Sequence, residues 1–178
     1  MYSGILEILD RYWKAYGGVK ALITSGYFHL SILLLALTFP FWLHQAWWNQ
    51  PISIIPNLLG FSLGGLAMLI SFGDEEFKKI IAQKSENSKV SAYVSLVASF
   101  VHFMLLQLLA LLYAVVRNAL NFEYSWPSAL TAAIKVATAC FSGLGYLIFL
   151  YSLTSMIAAV FAIFRVTGWY ELFKNNRP

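Results

Sequence analysis

Between Lys20 and Asp74 the chain runs for 53 residues without a single Asp, Glu, Lys or Arg. A helix needs about 20 apolar residues to cross a bilayer, so this stretch has room for two spans and a turn. Lipid offers no hydrogen-bond partners, which leaves helices or a closed barrel as the spanning structures. The runs are continuous and lack the alternation of barrel strands. Composition points the same way: 60% of the 178 residues are hydrophobic and 11% charged, where soluble domains are about a quarter charged. An ordinary soluble enzyme, a disordered chain and a secreted disulfide scaffold are excluded. The sequence predicts an all-α, polytopic membrane protein.

Four segments reach spanning length, at about 21–43, 54–72, 91–116 and 136–164. They define a single transmembrane domain over 1–178, a four-helix bundle with a charged loop at 74–90. Orientation follows from the basic residues, which favour the cytoplasmic side. Arg11, Lys14, Lys20, Lys78, Lys79, Lys84, Lys89, Arg165, Lys174 and Arg177 fall on one side, and Arg117 and Lys135 on the other. Ten against two predicts a multi-pass protein with both termini and the 74–90 loop in the cytoplasm. Trp42, Trp47, Trp48 and Trp126 then fall at the outer boundary, where indoles serve as interfacial anchors. The lone Cys140 is expected to pack as a small hydrophobe.

Before the first span, Ile5, Ile8, Leu9 and Tyr12 share one helical face, with Glu7, Asp10, Arg11 and Lys14 mostly opposite. This predicts a short amphipathic helix on the inner membrane surface, ended by Gly17–Gly18. In the loop, Asp74, Glu75, Glu76, Lys78, Lys79 and Lys84 are expected to extend the second helix beyond the bilayer, before a turn at Ser85-Glu86-Asn87-Ser88. The acidic run suits a fresh helix instead, with Asp74 as its cap. A solvated charge run is the plain reading, and a docking site for a soluble cytoplasmic protein is the functional one.

Ionisable groups inside spans are the default functional candidates, because lipid makes them costly. His29 and His102 qualify, at similar depths in the first and third spans, with Gln107 further out. Together they could form one intramembrane polar site, a proton relay or pH sensor. The competing reading is that each imidazole bonds to a neighbouring helix and fixes packing. Catalysis has little to stand on: the spans carry no Asp or Glu. Gly60-Phe61-Ser62-Leu63-Gly64 has the outline of a nucleophile motif, but that motif needs a strand–turn–helix elbow. The chain is therefore not expected to be an enzyme or to hold a cofactor or metal. The glycines Gly60, Gly64, Gly65 and Gly143 instead let helices approach closely, inside the bundle or between subunits of a homo-oligomer. The scattered basic residues do not form a nucleic-acid stripe.

The line Pro56-Asn57-Leu58-Leu59-Gly60-Phe61-Ser62-Leu63-Gly64-Gly65, running into Ser71-Phe72-Gly73-Asp74, resembles small four-span proteins of bacterial anti-phage defence islands. The membrane component of Kiwa-type systems is one of that group. The resemblance implies a sensor or effector that oligomerises in the inner membrane and works with a soluble cytoplasmic partner. Two other classes suit the layout: a proton or ion channel or transporter subunit using His29 and His102, and a colicin-type immunity protein.

Overall fold

The longest apolar runs become the longest helices. The structure is a computed structural model and describes residues 2–84, 90–121 and 128–175. Its helices are α1 (Tyr2–Tyr16), α2 (Gly18–Ile23), α3 (Gly26–Leu37), α4 (Phe39–His44), α5 (Asn49–Ser71), α6 (Glu75–Ala82), α7 (Ala92–Ala119) and α8 (Ser128–Asn175). There is no strand among the described residues. Among the described residues three helices are long and apolar enough to cross a membrane: α5, α7 and the Thr131–Asn175 stretch of α8.

The expected first span, 21–43, is the element that differs. It is divided into α2, α3 and α4. Ser25 takes extended backbone before α3, and Pro40 sits in the first turn of α4. A proline there has no N–H to continue α3 and clashes with the preceding turn. Thr24 and Thr38 donate their hydroxyls to the carbonyls of Lys20 and Leu34, at 2.8 and 2.7 Å, closing the turns they interrupt. Twelve residues of α3 rise only about 18 Å at 1.5 Å per residue, short of a ~30 Å hydrocarbon core. α8 is conversely longer than the expected 136–164 and carries Arg165, Trp169 and Lys174 on one unbroken helix.

α7 lies between α5 and α8, with α3 and α4 on another side of α8. Two apolar clusters fill the seams. One gathers Trp47, Ile55, Ala110, Ala114, Tyr146 and Phe149, and the other Leu69, Phe77, Leu96, Phe100, Ala162 and Val166. Trp47 is 0% exposed and Trp48 is also buried, so they are core residues and not interfacial anchors. The short segment after α4 turns inward, and Trp47 packs edge-on to Tyr146. Trp126 lies outside the described residues, as do Ser85 to Lys89 and Arg177. Cys140 is exposed on α8 instead of packed. Much of the remaining surface is apolar: Phe61 is 80% exposed and Phe164 78%, as lipid-facing side chains would be.

The 74–90 loop does not extend α5. Gly73 turns the chain with φ +83°, and Asp74 starts α6 by accepting the Phe77 N–H at 3.0 Å. The fresh-helix reading of the acidic run is the one realised. Phe77, 1% exposed, packs edge-on to Tyr170 of α8, and a Cβ on Gly73 would stand 2.5 Å from its ring. Asp74 also meets Lys174 at 3.0 Å. α6 is thus clasped to the end of α8.

Candidate functional site: a buried histidine held by three tyrosines

Helical periodicity gives α1 a pair of tyrosines, Tyr12 and Tyr16, one turn apart on one face. Gly17 and Gly18, both at positive φ, end the helix there, as glycine does without steric penalty. The pair closes over His102 of α7, which is 5% exposed. Tyr12 Oη lies 2.5 Å from His102 Nδ1. The Tyr16 ring stacks on the imidazole, with centroids 3.7 Å apart. From α8, Tyr151 Oη reaches His102 Nε2 at 3.2 Å and Tyr16 Oη at 3.1 Å. One histidine therefore ties three helices.

The chemistry of the cluster follows from its inventory of donors. A neutral imidazole donates from one ring nitrogen and accepts at the other, whereas each phenol can do both. With the proton on Nε2, His102 donates to Tyr151, Tyr151 donates to Tyr16, and Tyr12 donates to Nδ1. With the proton on Nδ1 each of those bonds reverses, and the ring is satisfied again. Burial, with the Tyr151 hydroxyl nearby, pushes the Tyr12 phenol up to about 12. Burial and the bond to Tyr151 push Tyr16 up too. Both phenols keep their protons across the physiological range and remain available as donors. Hydrogen bonds between membrane helices contribute about 0.6 kcal/mol each, and a stacked aromatic pair about 0.5–1.5 kcal/mol. The cluster is worth roughly 2–3 kcal/mol by those values, enough to dock α1 and little enough to release it.

The other candidates fall elsewhere. His29 is exposed on α3, because the face turned to α8 runs through Tyr27, whose carbonyl accepts from Thr154 at 3.0 Å. Two residues on, His29 lies about 160° around the helix. The structure does not bring His29 and His102 into one site. Gln107 is fully buried, but five residues from His102 it faces α5, about 140° away. There Ser62 donates to the Leu58 carbonyl at 2.7 Å and stands 3.4 Å from Gln107 Oε1. Gln107 Nε2 has no acceptor among the described residues.

The glycines divide into two groups. Gly143 is buried, and a Cβ there would meet the Trp42 ring at 3.2 Å. Gly60, Gly64 and Gly65 would meet nothing within 4 Å, so they are not needed for internal packing. Of the charged set, Glu75, Glu76, Lys79 and Lys84 are exposed. Lys78 pairs with Glu75 at 3.8 Å, and Asp74 is committed to Lys174. Sequence reasoning placed Tyr12 on the apolar face of α1 but missed Tyr16 and Tyr151. The i, i+4 tyrosine pair ahead of Gly17–Gly18 was the available signal. Compared with known proteins, the chain matches no family model, no curated protein and no solved structure.

Proposed function

We propose that this chain is a non-enzymatic sensor or effector subunit of an inner membrane, with α1 as its moving part. One observation carries the reading. From Ser3 to Arg11 every residue of α1 is exposed, while Tyr12 and Tyr16 dock at His102. An amphipathic helix held at one end by a buried cluster can change position when the membrane or a ligand favours its release. On this reading α1 lies on the cytoplasmic surface with Ile5, Ile8 and Leu9 toward lipid. The excess of Lys and Arg supports that orientation. The likeness of the second span to defence-island proteins supports a role in anti-phage defence with a soluble cytoplasmic partner.

The test is to unlatch α1. Replacing Tyr12 and Tyr16 together by Phe keeps the rings and removes two hydroxyls, at a cost of about 1–2 kcal/mol. Hydrogen exchange in α1 should rise about tenfold, with membrane levels unchanged, and protection of cells against phage should change with it. Unaltered α1 exchange would overturn the latch. A change in exchange with proton flux into liposomes, lost in His102→Leu, would favour the channel class instead.

Self-association is the second part of the proposal. Ser53, Asn57, Gly60, Gly64, Ala67 and Ser71 recur at alternating steps of three and four along α5, and all are exposed. Small residues let two backbones approach, and an asparagine facing lipid is stabilised by a partner helix. Gly64→Leu should lower self-association in detergent by about tenfold or more, roughly 1.4 kcal/mol, without preventing insertion. An unchanged oligomer size in sedimentation removes α5 as the contact.

A further inference from the structure

α3 starts only at Gly26, and its first turn meets α8 halfway along, where Thr154 reaches the Tyr27 carbonyl. From there toward Ser91 and Arg165 the seam between α7 and α8 opens into a cavity of about 670 Å³. Tyr27, beside Thr154, lines it together with Leu96, Ala158, Phe161 and Ala162. The mouth is polar and basic, with Gln83, Ser91, Arg165 and Trp169. Arg165 is exposed and has no acidic partner among the described residues. Ala92 lines the same mouth at the amino end of α7, whose Ser91 caps the Val94 N–H at 3.3 Å. A helix amino terminus adds partial positive charge and free N–H groups beside the guanidinium. Ser95 supplies a further hydroxyl on the wall.

The dimensions fit a lipid. From Ser91 to Ser99, both on the lining, α7 rises about 12 Å at 1.5 Å per residue. One leaflet of hydrocarbon is about 15 Å, half of the ~30 Å core. A soluble anion would leave the apolar wall unfilled, and a bare acyl tail would leave Arg165 unmatched. We propose that the cavity binds a glycerophospholipid, its phosphodiester at Arg165 and the α7 terminus and one acyl chain along Ala158 and Phe161 up to Tyr27. Basic pockets between membrane helices recognise headgroups in this way. The site depends on membrane residence alone and is independent of the α1 latch.

Photoactivatable phosphatidylglycerol in nanodiscs holding the full chain provides the test, with labelled peptides read by mass spectrometry. Labelling should concentrate on α7 and α8. Arg165→Gln should reduce it about five- to tenfold, the worth of one basic side chain near a membrane surface. Ala158→Trp, which fills the wall and keeps the charge, should reduce it as much, while Arg11→Gln leaves it unchanged. Excess inorganic phosphate should not compete. Labelling that survives Ala158→Trp, or falls equally with Arg11→Gln, overturns the site as general surface attraction. Displacement by inorganic phosphate overturns the lipid in favour of a soluble anion.

Discussion

Gly145→Leu should abolish the bundle, and Gly145→Ala should already weaken it by about 3 kcal/mol. A Cβ at this position would stand 2.5 Å from Trp47 Cη2 and equally close to two carbons of the Tyr113 ring. Neither ring is free to retreat. Trp47 is 0% exposed, in the cluster that joins α5, α7 and α8. Tyr113 donates to the Phe141 carbonyl at 2.9 Å and stacks on the Phe141 ring. Interiors are packed like organic crystals, so an extra methyl must displace something that is itself held. For a chain of this size each kcal/mol shifts the melting temperature by about 2–4 °C, giving roughly 6–12 °C for the alanine variant. Gly168→Ala is the matched control. Its Cβ would meet nothing within 4 Å, and replacing a helical glycine by alanine stabilises by about 0.5–1 kcal/mol. Thermal melting in one detergent, read by circular dichroism, should therefore give shifts of opposite sign. Equal melting of the two alanine variants would mean that Gly145 does not set the approach of Trp47.

That contrast marks how far the sequence can be read. Charge depletion and apolar length are one-dimensional properties, and they located α5, α7 and most of α8. At 21–43 they predicted one continuous helix where the structure has α2, α3 and α4, because mean hydropathy does not register backbone interruptions. Ser25-Gly26 and Phe39-Pro40 are apolar enough to pass as a continuous span. The tryptophans misled for a related reason. Indole is favourable both at the headgroup level and in a core, and only the inward path of the chain after α4 decides between them for Trp47. His102 was visible as a costly residue in a span, but its partners lie 90 residues before it and 49 after it. No spacing rule connects positions so far apart. The glycine stripe gave no indication of its direction: Gly143 faces Trp42 inside the bundle, and Gly60 and Gly64 face outward.

Reversing the exposed charges of α6, with Glu75→Lys, Glu76→Lys and Lys79→Glu together, should lower affinity for the proposed soluble partner about a hundredfold. The structure narrows the variant to these three. Asp74 caps the helix and holds Lys174, so changing it would unclasp α6 from α8. Lys78 is half-buried beside Glu75. For the remaining three, exposed ion pairs contribute about 0–1 kcal/mol to the fold. Loss of the acidic first turn costs roughly 0.3–1 kcal/mol per residue through the helix dipole. Phe77, packed under Tyr170 and Phe173, still anchors the helix, so the melting temperature should fall by only a few degrees. A complementary surface, in contrast, would meet like charge at each position, which costs several kcal/mol. A loss of about 3 kcal/mol corresponds to the hundredfold change at ~1.4 kcal/mol per tenfold. Because the effect is electrostatic and solvent-exposed, raising salt should narrow the gap between wild type and variant. Titration of the purified chain with a soluble protein that co-purifies with it, at low and high salt, reads both quantities. A variant that binds as tightly as wild type at low salt would reduce α6 to a clasp on α8, and the proposed docking would have to move to another cytoplasmic element such as α1.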